Sequence, residues 1–306
     1  MPREHGVRLA GKEPPVNSQS GVEIGRTRLG NPPNSEVGRP RGACRVLLIG
    51  DVIGKPGRLA VEQLLPDLRQ RREIDFVTAN GENLAGGLGL TPSTADALLA
   101  AGVDVITSGN HIWDKREIYP YLEQTDRVLR PLNYGTHDVP GRGWGVYQAL
   151  DGSELAVINL QGRTYMQPTD NPFTEADRLL DESSEPLPPL RLVDFHCEVT
   201  SEKNALGVYL DGRVSVVVGT HTHVVTGDER ILPKGTAYQT DLGMIGPVWS
   251  VIGFDPATVL PRFINALPTR FAVGDGPVVF NATQIDLDPA TGRALAISRI
   301  QQLVEV

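Results

Sequence analysis

Two cysteines in 306 residues exclude a disulfide-stapled scaffold. Cys44 and Cys197 read as reduced thiols, and cytoplasmic residence is the expectation that follows. No apolar run approaches the ~20 residues that span a bilayer. The N-terminus has no apolar core of a secretory signal, so no membrane partner is expected. Positive charge is also scarce: 29 Lys and Arg face 37 Asp and Glu, a net charge of −8. Residues 1–43 hold seven of the basic residues and four Glu, so the remaining body carries −11. A body this acidic lacks the basic stripe that displaces counterions from nucleic acid, which disfavours a processive nuclease. It leaves small phosphate esters open, because bound dications would reverse the local field.

Residues 1–43 contain six Pro and seven Gly with almost no apolar periodicity. Such a segment buries too little to offset its ordering entropy, so a disordered N-terminal extension is expected, followed by one domain over 44–306. A transit peptide and an over-extended reading frame are the alternative readings of the extension.

From Cys44 the pattern changes. Arg45-Val-Leu-Leu-Ile-Gly50 reads as a buried parallel strand, and a helix from about Arg58 carries Val61, Leu64, Leu65 and Leu68 on one stripe. Strand Phe76–Ala79 with a helix from Pro92, and strand Val105–Thr107 with a short helix near Lys115, repeat the unit. Beyond Val128 strands dominate: Val146–Ala149 and Leu155–Leu160 flank the turn Asp151-Gly152. Leu192–Phe195, Val214–Val218, Ala237–Thr240, Val278–Asp286 and Ala294–Val304 follow, with a helix over Ser201–Leu210. This count fits an α/β fold built as a four-layer α/β/β/α sandwich.

The polar residues fall at the ends of the strands. Gly50-Asp51, Asn80-Gly-Glu82-Asn83, Gly109-Asn110-His111, Asp194-Phe-His196 and Gly219-Thr-His221-Thr-His223 each follow a strand. Ligands in open α/β sheets bind beyond the carboxyl ends of strands, so these loops should converge. Four of the six histidines lie in them. Carboxylate, amide and imidazole donors suit manganese, iron or zinc, and two ions ~3.5–4 Å apart can clamp an in-line displacement at phosphorus. Taken singly, each group has a bland reading as a cap, turn or satisfied loop residue. The conjunction of five strand ends favours a metal site.

The same five motifs, with Leu129-Arg-Pro-Leu-Asn133, Asn159-Leu-Gln-Gly-Arg163, Thr200-Ser-Glu-Lys203 and Gly243-Met-Ile-Gly-Pro247, resemble the calcineurin-like metallophosphoesterases, most closely their bacterial YmdB branch. The resemblance runs from about Cys44 to the C-terminus. It implies a dinuclear site, usually iron or manganese with zinc or magnesium as alternatives, and hydrolysis of cyclic nucleotides such as 2′,3′-cAMP by a hydroxide bridging the ions. It implies Asp51 and His223 on one metal, Glu82 bridging, Asn110, His196 and His221 on the second, and Asn83 in or beside the first. His111 would face the substrate as proton donor. Phosphomonoester or RNA-end hydrolysis, and a slow metal- and nucleotide-binding regulator, are the competing functions. Two departures stand out: Ile53 replaces the histidine common in the wider superfamily, and Val248-Trp249 replaces an expected Tyr and Asp. The apolar residues at Val248, Trp249, Val251, Ile252 and Phe254 read as core in preference to a substrate wall or a homo-oligomer contact.

Overall fold

The computed structural model of the protein describes residues 28–29, 34, 38–135, 138–184 and 186–306. Most of the 1–43 extension, with the expected disorder, lies outside the described residues, as does His137. The described part is tied to the body: the Asn34 amide donates to the Gln301 carbonyl at 2.9 Å, and Arg39 pairs with Asp75 at 2.6 Å.

In chain order the first half contains β1 (Arg28–Leu29), β2 (Cys44–Val52), α1 (Gly54–Arg71), β3 (Phe76–Asn80), α2 (Pro92–Ala100), β4 (Val105–Thr107), α3 (Ile118–Gln124), β5 (Trp144–Gln148) and β6 (Glu154–Gln161). Next come α4 (Pro172–Asp181), β7 (Leu190–His196), α5 (Thr200–Leu210), β8 (Val216–Thr220), β9 (Arg230–Ile231) and β10 (Ala237–Gln239). The chain closes with β11 (Met244–Pro247), α6 (Pro256–Asn265), β12 (Val278–Leu287) and β13 (Ala294–Val304). They form a six-stranded sheet, β13-β12-β11-β2-β3-β4, and a seven-stranded sheet, β1-β9-β10-β8-β7-β6-β5. Strands β2, β3 and β4 run parallel in the first, and β6, β7 and β8 in the second.

The two-residue period of the strands builds the layers. Cys44, Val46 and Leu48 of β2 face the second sheet, meeting Leu190 and Leu192 of β7 and Val216 and Val218 of β8. The alternate residues Leu47 and Ile49 pack under Val61, Leu65 and Leu68 of α1. On the far side Val193, Phe195 and Val217 pack against Leu206 and Leu210 of α5. The expected α/β/β/α sandwich is what forms.

Helix α1 begins at Gly54, four residues earlier than expected, because a proline in the first turn removes only an N–H that has no intrahelical partner. Helix α3 begins at Ile118 rather than Lys115, after a series of turns. Helices α4 and α6 were not anticipated. Each starts at an Asx–Pro pair: Asn171 Oδ1 accepts from Phe173 N at 3.0 Å, and Asp255 Oδ1 from Ala257 N at 2.9 Å. The apolar stretch read as core is only partly so. Phe254 is buried, but Trp249 is 78 % exposed, and Val248 and Ile252 are also exposed. They lie in the excursion between β11 and β12, outside the sheets that bury their neighbours.

Arg45 and Asp286 form a buried ion pair, with Nε and Oδ1 at 2.6 Å, binding β2 to β12. Replacing Arg45 with Ala strands that carboxylate and should cost roughly 3–5 kcal/mol, read as a lowered midpoint of urea unfolding. Arg45→Met with Asp286→Leu should recover most of the loss.

Candidate metal centre

The face between the sheets changes character toward the carboxyl ends of its strands. In β7 the sequence Leu190, Leu192 gives way to Asp194 and His196; in β8 Val216 and Val218 lead to Thr220; in β3 Phe76 leads to Thr78 and Asn80. These polar residues are buried, and the loops that follow carry the rest of the donors. Asp51 is in β2, Glu82 and Asn83 follow β3, Asn110 and His111 follow β4, and His221 and His223 follow β8.

The sequence-predicted donors converge in one place. His196 Nε2 lies 3.1 Å from Glu82 Oε1, 3.1 Å from Asn110 Oδ1 and 3.0 Å from His221 Nδ1. His223 Nε2 lies 3.2 Å from Asn83 Nδ2 and 4.0 Å from Asp51 Oδ1. The same Asp51 oxygen is 4.0 Å from His196 Nδ1, which joins the two halves. Gly109 permits this approach: a Cβ there would lie 2.0 Å from His196 Cδ2. His221 and His223 have φ of +97° and +64°, a backbone state that costs side-chain-bearing residues of order 1–3 kcal/mol each. The turned loop brings both imidazoles inward.

Each imidazole has its outer nitrogen occupied by an acceptor. Thr220 Oγ1 donates its hydrogen to Asp194 Oδ1 at 2.7 Å and so must accept from His196 Nδ1 at 2.9 Å. The Ile252 carbonyl accepts from His223 Nδ1 at 2.8 Å, and Glu198 Oε2 lies 3.1 Å from His221 Nε2. A ring that donates outward presents a lone pair inward. Three imidazole lone pairs, two carboxylates and the Asn110 oxygen thus face a common space with no donor among the imidazoles to satisfy them. Such a space suits a cation.

Two further observations agree. Asp51 Oδ1 is buried without a hydrogen-bond partner, and burial pushes the Asp51 carboxyl well above the usual carboxylate range. Burial would also lower His196, but Glu82, Asp51 and Asp194 outweigh it and raise its pKa. Burial works against ionised Glu82 too, yet His196 and the His111 N–H hold its carboxyl down at about 2. Burial and His196 push His221 down to about 3, and burial lowers His223. Neutral imidazole is the form that ligates, and burial favours it at His221 and His223. The donors present therefore fit a transition-metal centre.

The residues that sequence reasoning missed lie behind these donors. Asp194 accepts from Thr107 and Thr220, and Lys203 Nζ meets Asp241 Oδ2 at 2.6 Å, both buried. Asp241 in turn accepts from Thr222 Oγ1 at 2.8 Å, holding the loop between the two imidazoles. Asp194 and Lys203 stood inside conspicuous motifs; their burial was the unread signal. Ile53 is buried beside Gly246 and Gly253, where it packs rather than coordinates.

His111 sits at the edge of the cluster. Its N–H donates to Glu82 Oε2 at 2.9 Å, and its Nδ1 lies 2.8 Å from Asp114 Oδ2, so the ring is held by a carboxylate. It lines a cavity of about 660 Å³ with Glu82, Asn83, His221 and His223, and with Lys115, Arg262, Arg270 and Phe271. Val248 and Trp249 are not among its lining residues.

A four-layer sandwich with carboxylate, amide and imidazole donors gathered where its sheets end defines a metallophosphoesterase-type protein. The chain belongs to the YmdB-like protein family, whose model matches residues 47–300. It is 48 % identical over 256 residues to the 2′,3′-cyclic-nucleotide 2′-phosphodiesterase of Bacillus subtilis (strain 168), covering 84 % of this chain and 96 % of that one. A crystal structure of a hypothetical protein from Thermus thermophilus matches with a TM-score of 0.79 at 45 % identity, over 86 % of this chain and all of that one. A Mycoplasma pneumoniae structure described as a novel phosphatase matches with a TM-score of 0.80 at 34 % identity, over 86 % and 94 %. No helix among the described residues is long and apolar enough to cross a membrane.

Neither thiol belongs to this centre. Burial, reinforced by Asp151 and Asp75, pushes Cys44 up to about 12, and burial with Glu202 does the same to Cys197. Both should therefore stay protonated and resist iodoacetamide in the folded protein at pH 8, and both should label in urea, as read by mass spectrometry.

Proposed function

We propose that this chain is a dinuclear-metal phosphodiesterase acting on small cyclic phosphodiesters, with 2′,3′-cyclic nucleotides as the substrate class. The observation that carries the reading is the convergence of three imidazole lone pairs with Asp51, Glu82 and Asn110 beside an open cavity. The substrate class rests on the activity in the name of the Bacillus subtilis relative.

Asp51 and His223 would hold one ion with Asn83 alongside, and Asn110, His196 and His221 the other. Glu82 would contribute to both; its Oε2 accepts from the His111 N–H at 2.9 Å, while its Oε1 lies 3.1 Å from His196 Nε2 and 3.4 Å from Asn83 Nδ2. Iron or manganese suits the mixed nitrogen and oxygen set, with zinc and magnesium as the alternatives. Bound ions supply Lewis acidity toward the phosphoryl oxygens and an activated water. The protein's own contribution is to hold those donors in place through their hydrogen-bond partners and to supply a proton. His111, oriented by Asp114, is the residue at the cavity suited to protonate the departing 2′-oxygen.

Phosphomonoester hydrolysis is the second reading, suggested by the description of the Mycoplasma pneumoniae structure. A panel of 2′,3′-cAMP, p-nitrophenyl phosphate, its bis-ester and short RNA separates the two. Chelator-dialysed protein should be inactive on 2′,3′-cAMP and regain activity with Mn²⁺ or Fe²⁺; equal turnover with and without metal would refute the assignment. Glu82→Gln should lose bound metal by elemental analysis. His111→Ala should keep its metal while kcat falls roughly 10²–10⁴-fold; parallel loss of both would deny it the donor role.

A further inference from the structure

Strands β11 and β12 pair as a hairpin would, Gly246 with Val279 and Pro247 with Val278, yet residues 248–277 leave the sheet between them. This excursion carries α6 and then doubles back on itself. Asp255 N donates to the Ala272 carbonyl at 2.8 Å, Ala272 N to Thr258 Oγ1 at 3.2 Å, and Gly274 N to the Gly253 carbonyl at 3.0 Å. It is also fastened to the metal centre, because its Ile252 carbonyl is the group that orients His223. An opposing loop gives way to it: Gly87 has φ +93°, and a Cβ there would lie 2.7 Å from Phe254 Cε1.

The excursion supplies one wall of the cavity, through Ile252, Phe254, Arg262, Thr269, Arg270 and Phe271. Phe254 is buried and backs Phe271, with ring centroids 5.5 Å apart and planes at 52°. Arg262 Cζ lies 5.6 Å from the Phe271 centroid. Phe271 itself is half-buried, so part of its ring remains open in a cavity whose floor is polar. Among the described residues no carboxylate lines this wall; its charged groups are Arg262 and Arg270, with Lys115 opposite on another loop. The floor carries the ligands of the candidate metal centre, and the wall offers an aromatic surface flanked by Arg262 and Arg270.

We propose that Phe271, held by Phe254 and Arg262, is the stacking platform for the nucleobase of the substrate. The proposal rests on the phosphodiesterase reading and adds to it the part of the substrate remote from phosphorus. A ring held on one side by a buried partner is pre-organised, and every base has a π-face, so such a platform tolerates base identity.

The test compares 2′,3′-cAMP with glycerol 1,2-cyclic phosphate, which has the same reacting ring and no base. In Phe271→Ala the ratio of kcat/KM for 2′,3′-cAMP over that for the glycerol ester should fall by about tenfold or more, mostly through KM, and Phe271→Trp should restore it. A ratio within about twofold of wild type, or a Trp variant no better than Ala, overturns the platform. Adenosine binding by calorimetry keeps the two readings distinct. If the wild type hydrolyses neither ester the phosphodiesterase reading fails, while adenosine binding that Phe271→Ala abolishes still supports the platform and absent binding to wild type overturns it.

Discussion

Lone pairs without protons, pressed together at the ends of two packed sheets, are the constraint on which the rest of this structure depends. Nitrogen and oxygen acceptors about 3 Å apart repel unless something positive lies between them, and burial magnifies that cost. A proton on His196 is the weak answer available to the protein alone, consistent with the upward push on that imidazole from Glu82, Asp51 and Asp194. Bound cations would be the stronger one, since an ion can accept several lone pairs where a proton takes one.

The fold is arranged to sustain this arrangement. Two sheets face each other across a largely apolar interior that turns polar over the last residues of β3, β7 and β8. Behind several of the donors stands a group that fixes direction: buried Thr220 and Asp194 for His196, buried Asp241 and Lys203 for the loop through Thr222, and the backbone carbonyl of Ile252 for His223. Strained φ at His221 and His223 is tolerated because those anchors over-determine the loop. Stability and site geometry are thereby coupled.

Much of this was legible in the sequence, for identifiable reasons. Apolar runs ending in Gly-Asp, Asn-Gly-Glu-Asn, Gly-Asn-His and Thr-His-Thr-His marked parallel strands whose loops had to converge, and the structure brings those residues together. Helices α4 and α6 escaped notice because each is short and carries Pro in its first turn, although Asn171 and Asp255 are ordinary caps. The apolar stretch at 248–254 misled because local composition cannot tell a core segment from a wall: Phe254 turned inward while Trp249 faces solvent. Roles such as that of Asp194 were hidden for another reason. A buried carboxylate that only orients its neighbour looks, in sequence, like any other acidic residue.

Crystals of the protein grown with Mn²⁺ and measured for anomalous scattering at the manganese edge test the central claim most directly. The account predicts two peaks per chain, one bounded by Asp51, Asn83 and His223, the other by Asn110, His196 and His221, with Glu82 between them. A cluster without anomalous density at saturating metal, or ions bound only elsewhere on the surface, would contradict it.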